Sequence, residues 1–145
     1  MLKRTLAVLA LTIAFALVAH AQKPTTSDIA AVKATVAYAD VLLRKTEVQA
    51  DLDAFGQDYT ETNPKILDLK AELASLEASS NRLLAVKAPQ LDRLTDALGK
   101  MMVRKAALDA ELTRVDRSYS KEHPEVKRAQ RRADNFAAAI NEILK

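Results

Sequence analysis

Apolar positions along this chain step by three and four residues, again and again. The first series runs Ala31, Ala34, Tyr38, Val41, Lys45, Val48, Leu52 and Phe55, and ends at Tyr59. Alternating steps of three and four mark the seam of helices that pack lengthwise. The spacing predicts a helix from Asp28 to about Asp58, capped by Ser27 or Thr26. A second series, Ile66, Leu69, Leu73, Leu76, Ser80 and Leu83, predicts another helix. A third resumes at Leu91, Leu94, Leu98 and Met101 and continues through Lys105, Leu108, Leu112 and Val115. The last carries Val126, Ala129, Ala133, Phe136, Ile140 and Ile143. The expected fold is therefore all-α, built of long antiparallel coiled-coil helical hairpins.

Two interruptions share one form. Tyr59 is followed by four polar residues and Pro64, and Tyr119 by four polar residues and Pro124. Asn63 and His123 stand just before the prolines, where a cap is wanted, and proline suits a first helical position because no N–H is needed there. The likeness extends outwards. Residues 41–84 align without a gap on residues 101–144, and nine of the 44 pairs are identical, among them Arg44/Arg104, Lys45/Lys105, Tyr59/Tyr119 and Pro64/Pro124. The chain reads as one hairpin written twice.

Pro89 leaves two arrangements open, since proline inside a helix costs about 3 kcal/mol. Either the middle helix is only kinked there, or the chain turns there into an up-down-up-down four-helix bundle. Kinked, it would be a rod of roughly 80 Å at 1.5 Å per residue. The outer helices would then tile that rod end to end in a Z shape, and no surface would be left unmatched. The Z shape is the preferred expectation on that ground.

The first residues read differently. Lys3 and Arg4 precede an apolar run from Leu6 to Ala19, and Ala19-His20-Ala21 closes it with small residues. That is the three-part form of a cleavable secretory signal over residues 1–21. The expectation is an exported protein, periplasmic if the source has two membranes, with no transmembrane span after cleavage. Residues 22–27 are expected to be a disordered lead, and 28–145 one helical domain.

Composition narrows the chemistry. Cysteine is absent, aromatic residues make up 4%, and only two glycines and four prolines interrupt the chain. His123 is the one histidine beyond the signal. With no cysteine, no glycine-rich loop and a lone histidine, no catalytic residue, cofactor site or metal site is expected, and the chain is read as a non-enzyme.

Charge is uneven. Residues 22–99 hold nine Lys/Arg against twelve Asp/Glu, while residues 100–145 hold eleven against seven. An acidic half and a basic half invite self-association, and a protein partner on the coiled-coil faces is the general expectation. Lys127, Arg128, Arg131 and Arg132 form the densest basic cluster, a candidate contact for anionic polysaccharide or lipid. Nucleic acid is not expected, because no aromatic is interleaved to stack on bases. Lys45 and Lys105 hold equivalent seam positions, where a lysine lays its stem on the seam and carries its charge to water.

The stretches Tyr59-Thr-Glu-Thr-Asn-Pro-Lys-Ile and Tyr119-Ser-Lys-Glu-His-Pro-Glu-Val resemble a turn in the periplasmic coiled coils of bacterial polysaccharide chain-length determinant and export proteins. There a Tyr-x-x-x-His-Pro-x-Val stretch links two long helices. The resemblance covers the two turns and the helical pattern around them. It implies a relative of the coiled-coil part, acting as a structural spacer or adaptor in the cell envelope. Size, signal and lack of cysteine are also similar to small exported holdase chaperones of the outer-membrane pathway. A holdase should expose Leu, Met and Phe in a groove, with Met101 and Met102 as candidates; a spacer should bury them.

Overall fold

The computed structural model describes residues 25–145, so the signal and the first part of the expected lead lie outside the described residues. Everything regular in it is helical. Five α-helices, α1 (Thr26–Lys33), α2 (Val36–Asp58), α3 (Pro64–Leu84), α4 (Asp96–Ser118) and α5 (Pro124–Ile143), are joined by short links, with a 3-10 helix at Ala88–Arg93 between α3 and α4.

The first helix begins earlier than its seam predicts, and it is divided. Thr25 is the N-cap, its hydroxyl accepting from the Asp28 amide while the Asp28 carboxylate accepts from the Thr25 N–H at 3.0 Å. This reciprocal capping box satisfies two free donors and draws Thr26 and Ser27, expected in the lead, into α1. The Thr25 hydroxyl and then its backbone amide hold the Asp28 carboxyl below the usual carboxylate range. At Thr35 the helix stops and restarts: the side chain accepts from the Tyr38 amide and donates to the Val32 carbonyl. Threonine competes with the backbone for hydrogen bonds in this way, which is why it favours caps over helix interiors.

The middle helix is broken, not kinked. It ends at Leu84, and Pro89 is the second residue of the 3-10 helix. A new α-helix starts only at Asp96, capped by Thr95. The chain reverses across this link, so α3 and α4 lie antiparallel, with Asp68 paired to Arg117 and Ser75 donating to Asp109 at 2.5 Å. The Z shape is thereby overturned. Its physical flaw is that proline removes a helical donor and also disfavours helix at the residue before it.

The four long helices do run up, down, up and down, but they do not close a square. The central helix is α4, which packs on α2, α3 and α5, while α2 packs on α3 and α4. Side by side in the same direction, α2 and α4 cross at Gly99, where a Cβ would come within 2.6 Å of Asp40 Oδ2 and 2.8 Å of Ala37 Cα. Only glycine permits that approach. One carboxylate oxygen there, Asp40 Oδ2, is buried without a hydrogen-bond partner. Both Tyr-to-Pro turns lie at one end of the array, and the 3-10 helix and α1 lie at the other.

The core follows from this layout. Leu76 and Leu83 of α3, Leu98 and Met102 of α4 and Ile140 of α5 are essentially inaccessible, with Val32, Val41 and Val48. Each such side chain contributes about 1.5–3 kcal/mol by leaving water. On α4 the buried set is Leu98, Gly99, Met102, Ala106, Leu108 and Ala110, a wider arc than the single seam through Met101 and Lys105. A helix with three neighbours needs more than one apolar stripe.

Candidate functional site

The two turns are built alike. Tyr59 and Tyr119 are the C-caps of α2 and α4, each amide donating at 2.9 Å to a carbonyl four residues back. Asn63 and His123 are the N-caps of the helices that follow, and Pro64 and Pro124 take the first helical positions. Asn63 Oδ1 accepts from the Lys65 amide at 2.8 Å, and His123 Nδ1 accepts from the Glu125 amide at 3.2 Å. Accepting through Nδ1 leaves the ring hydrogen on Nε2. His123 stacks on Tyr119 with ring centroids 4.1 Å apart. In the first turn Tyr59 meets Phe55 at 5.8 Å, and Lys65 lies over the Phe55 ring. Both tyrosines are about half exposed, at 49% and 46%. These six residues shape the chain reversals.

The seam lysines find acids. Lys45 Nζ lies 3.2 Å from Glu77 of α3, and Lys105 Nζ lies 2.6 Å from Asp109, which also takes the Ser75 hydroxyl. Both stems are half-buried and both charges reach the rim, as long cationic side chains do.

The basic cluster is divided and largely neutralised. Lys127 pairs with Glu122 and Arg128 with Glu125. Arg132 reaches across to Glu111 of α4, holding both carboxylate oxygens at 2.8 and 3.1 Å. Arg131 turns the other way, into a shallow groove of about 360 Å³ between α4 and α5, lined also by Leu112, Asp116, Lys121, Val126 and Lys127. The four cations therefore do not form one continuous face, and Asp116 sits in the groove that two of them share.

Arg44 makes the most buried ion pair. Its Nε donates to Glu72 at 2.7 Å and its Nη1 to Glu47 at 3.0 Å, and Glu72 is only 8% exposed. Glu72 is the main reason that the Arg44 guanidinium holds its proton even more firmly than usual. The matching positions sixty residues on are Arg104 and Arg132, two cations, so this pair exists once.

One surface was not singled out by the seam. Val36, Leu42 and Leu43 of α2 are exposed, Leu43 at 62%. A groove of about 330 Å³ runs along the same face, lined by Leu42, Lys45, Thr46, Gln49, Ala50 and Asp53. A sequence signal existed: Val36, Ala39, Leu43 and Ala50 form a second apolar row on α2, opposite the seam.

Among the described residues, no three His, Asp or Glu side chains are grouped to hold a metal ion, and no helix is long and apolar enough to cross a membrane. Compared with known protein families, with curated proteins and with solved structures, the chain matches none.

Proposed function

We propose that this is an exported, non-enzymatic protein of two coiled-coil hairpin repeats that serves as a structural spacer or adaptor in the cell envelope, alongside polysaccharide or outer-membrane machinery. The observation that carries the reading is the fate of the methionines. Met102 is 1% exposed and Met101 is half-buried against the core. A holdase needs such soft, adaptable side chains free for clients, whereas a spacer consumes them in its own packing. The signal form of residues 1–21 supplies the export, and the two turns supply the likeness to envelope polysaccharide proteins.

The test is a client-protection assay. The purified protein at equimolar ratio should leave the aggregation of a chemically denatured outer-membrane protein unchanged. Suppression at that ratio overturns the adaptor reading in favour of a holdase. Export has its own check: cell fractionation with N-terminal sequencing should find a chain beginning at Gln22. A cytoplasmic chain that retains Met1 would remove the envelope from the proposal.

A further inference from the structure

The exposed face of α2 has a counterpart inside the molecule. The two helices have the same bounds sixty residues apart: 36–58 and 96–118. Both are capped by threonine, Thr35 and Thr95, and both end on tyrosine. On α4 the residues Gly99, Met102, Val103, Ala106 and Ala110 form the arc that is turned inwards, all but the half-buried Val103 being buried. Subtracting sixty gives Ala39, Leu42, Leu43, Thr46 and Ala50 on α2, and every one of these is exposed. The face with which α4 seats itself on α2 and α3 is thus present on α2, nearly as apolar, with nothing among the described residues covering it.

The surface that receives α4 also has a counterpart. On α3 it includes Leu76, Ser79 and Leu83, all buried. Adding sixty gives Phe136, Ala139 and Ile143 on α5, which are only half-buried. The polar contacts translate as well. Ser75 donates to Asp109, and the matching pair, Asn135 and Gln49, can also hydrogen-bond. Asp68 borders a groove with Ala107, Ala110 and Glu111. The translated groove places Arg128, paired with Glu125 in its own chain, beside Ala50, Asp51 and the Arg44-paired Glu47, so one cation meets two acids.

We propose that the exposed face of α2 docks on the α4–α5 pair of a second copy of this chain, head to tail, repeating the seat that α4 takes on α2 and α3. The occupant is argued from this continuity with the internal interface and from the charge match at Arg128. The fit is somewhat wider than the internal one, because Ala39 carries the Cβ that Gly99 lacks. Each copy keeps one donor face and one acceptor face, so the contact is heterologous and propagates until a ring closes or the row ends. The inference concerns the folded chain alone and does not depend on export or on the adaptor role.

The native sequence has no cysteine, which makes a direct test available. In the full-length Gln49→Cys/Asn135→Cys double variant, both substituted positions are exposed, and α2 and α5 are not packed on one another within a chain. Mild oxidation should give a ladder of dimers, trimers and larger species on a non-reducing gel, collapsed by reductant. Either single variant should give dimers at most. Sedimentation of the unmodified protein should show association that rises with concentration. A Leu42→Asp/Leu43→Asp variant should weaken it at least about tenfold, the loss of one strong interface contact, with helical circular dichroism unchanged. A monomer at every concentration, no ladder from the double variant, or full association in the Asp variant would each overturn the proposal. A monomer is also the result expected if residues 1–24 or an unrelated protein cover this face.

Discussion

Helices α2 and α4 are each 23 residues long, capped by threonine and ended by tyrosine. They nevertheless live in different surroundings. On α2, Ala37, Val41 and Val48 are buried and Leu42 and Leu43 face outwards; on α4, six residues around the cylinder are buried. One holds an edge of the array and the other its centre. The lesson is that burial here is decided by neighbours more than by pattern, since the positions that match in sequence do not match in exposure.

Substitutions at matched positions should expose that difference, most strongly in the core. Met102→Ala should destabilise by about 2–5 kcal/mol, the usual loss for truncating a fully buried side chain, while Leu42→Ala should shift the dilute protein by less than about 0.5 kcal/mol. Denaturant melts of the two variants give the comparison; equal losses would mean that α2 is covered as α4 is.

The two glycines should differ in sign. A Cβ at Gly99 would be forced into the backbone of Ala37, so Gly99→Ala should cost about 1–3 kcal/mol through overpacking. A Cβ at Gly56 meets nothing within 4 Å. Gly56→Ala should therefore raise stability by about 0.5–1 kcal/mol through helix propensity alone. Thermal melts suffice, and a stabilised Gly99→Ala variant would contradict the close crossing.

The caps come next. Asn63→Ala should cost about 1 kcal/mol. Asparagine is the stronger capping residue, so His123→Asn should hold or slightly raise stability. A large loss from His123→Asn would give the stacked ring of His123 a role beyond capping.

The smallest effect is one of acidity. The Asp28 carboxyl has its pKa lowered in the folded chain by the Thr25 hydroxyl and backbone amide. A depressed carboxyl contributes stability above its unfolded value, near 3.8, and loses that contribution as pH falls through the folded value. Acidification through that window should fray α1 first, and Asp28→Asn should abolish this step. Helix signals followed by NMR across the titration would show it.

The sequence made several features readable because they are local. The turns at Tyr59–Pro64 and Tyr119–Pro124 announce themselves through proline and a capping side chain, and the α3 seam of Ile66, Leu69, Leu76 and Leu83 is a single stripe facing inwards. What stayed hidden depends on which helices meet. The seam through Met101 and Lys105 missed Met102 and Ala106, because three neighbours widened the buried arc of α4. The break at Thr35 was missed because an unbroken apolar rhythm ran across it, and a cap can outcompete rhythm. The four-residue basic run looked like one face, yet Arg132 and Arg131 part company according to whether Glu111 or the α4–α5 groove is nearer. Leu42 and Leu43 look like ordinary core residues until the fold shows that nothing among the described residues covers them.

Because α4 lies against three other helices, an opening that releases it gives up most of the packing and leaves only α1, α2 and α3 of the α-helices in contact. Opening must start at the edges, where α5 leans on α4 and α1 on the 3-10 link. Amide hydrogens in the middle of α4 should then be among the last to exchange with solvent, and those of α5 should exchange through smaller openings. The centre of this array is thus also its slowest clock.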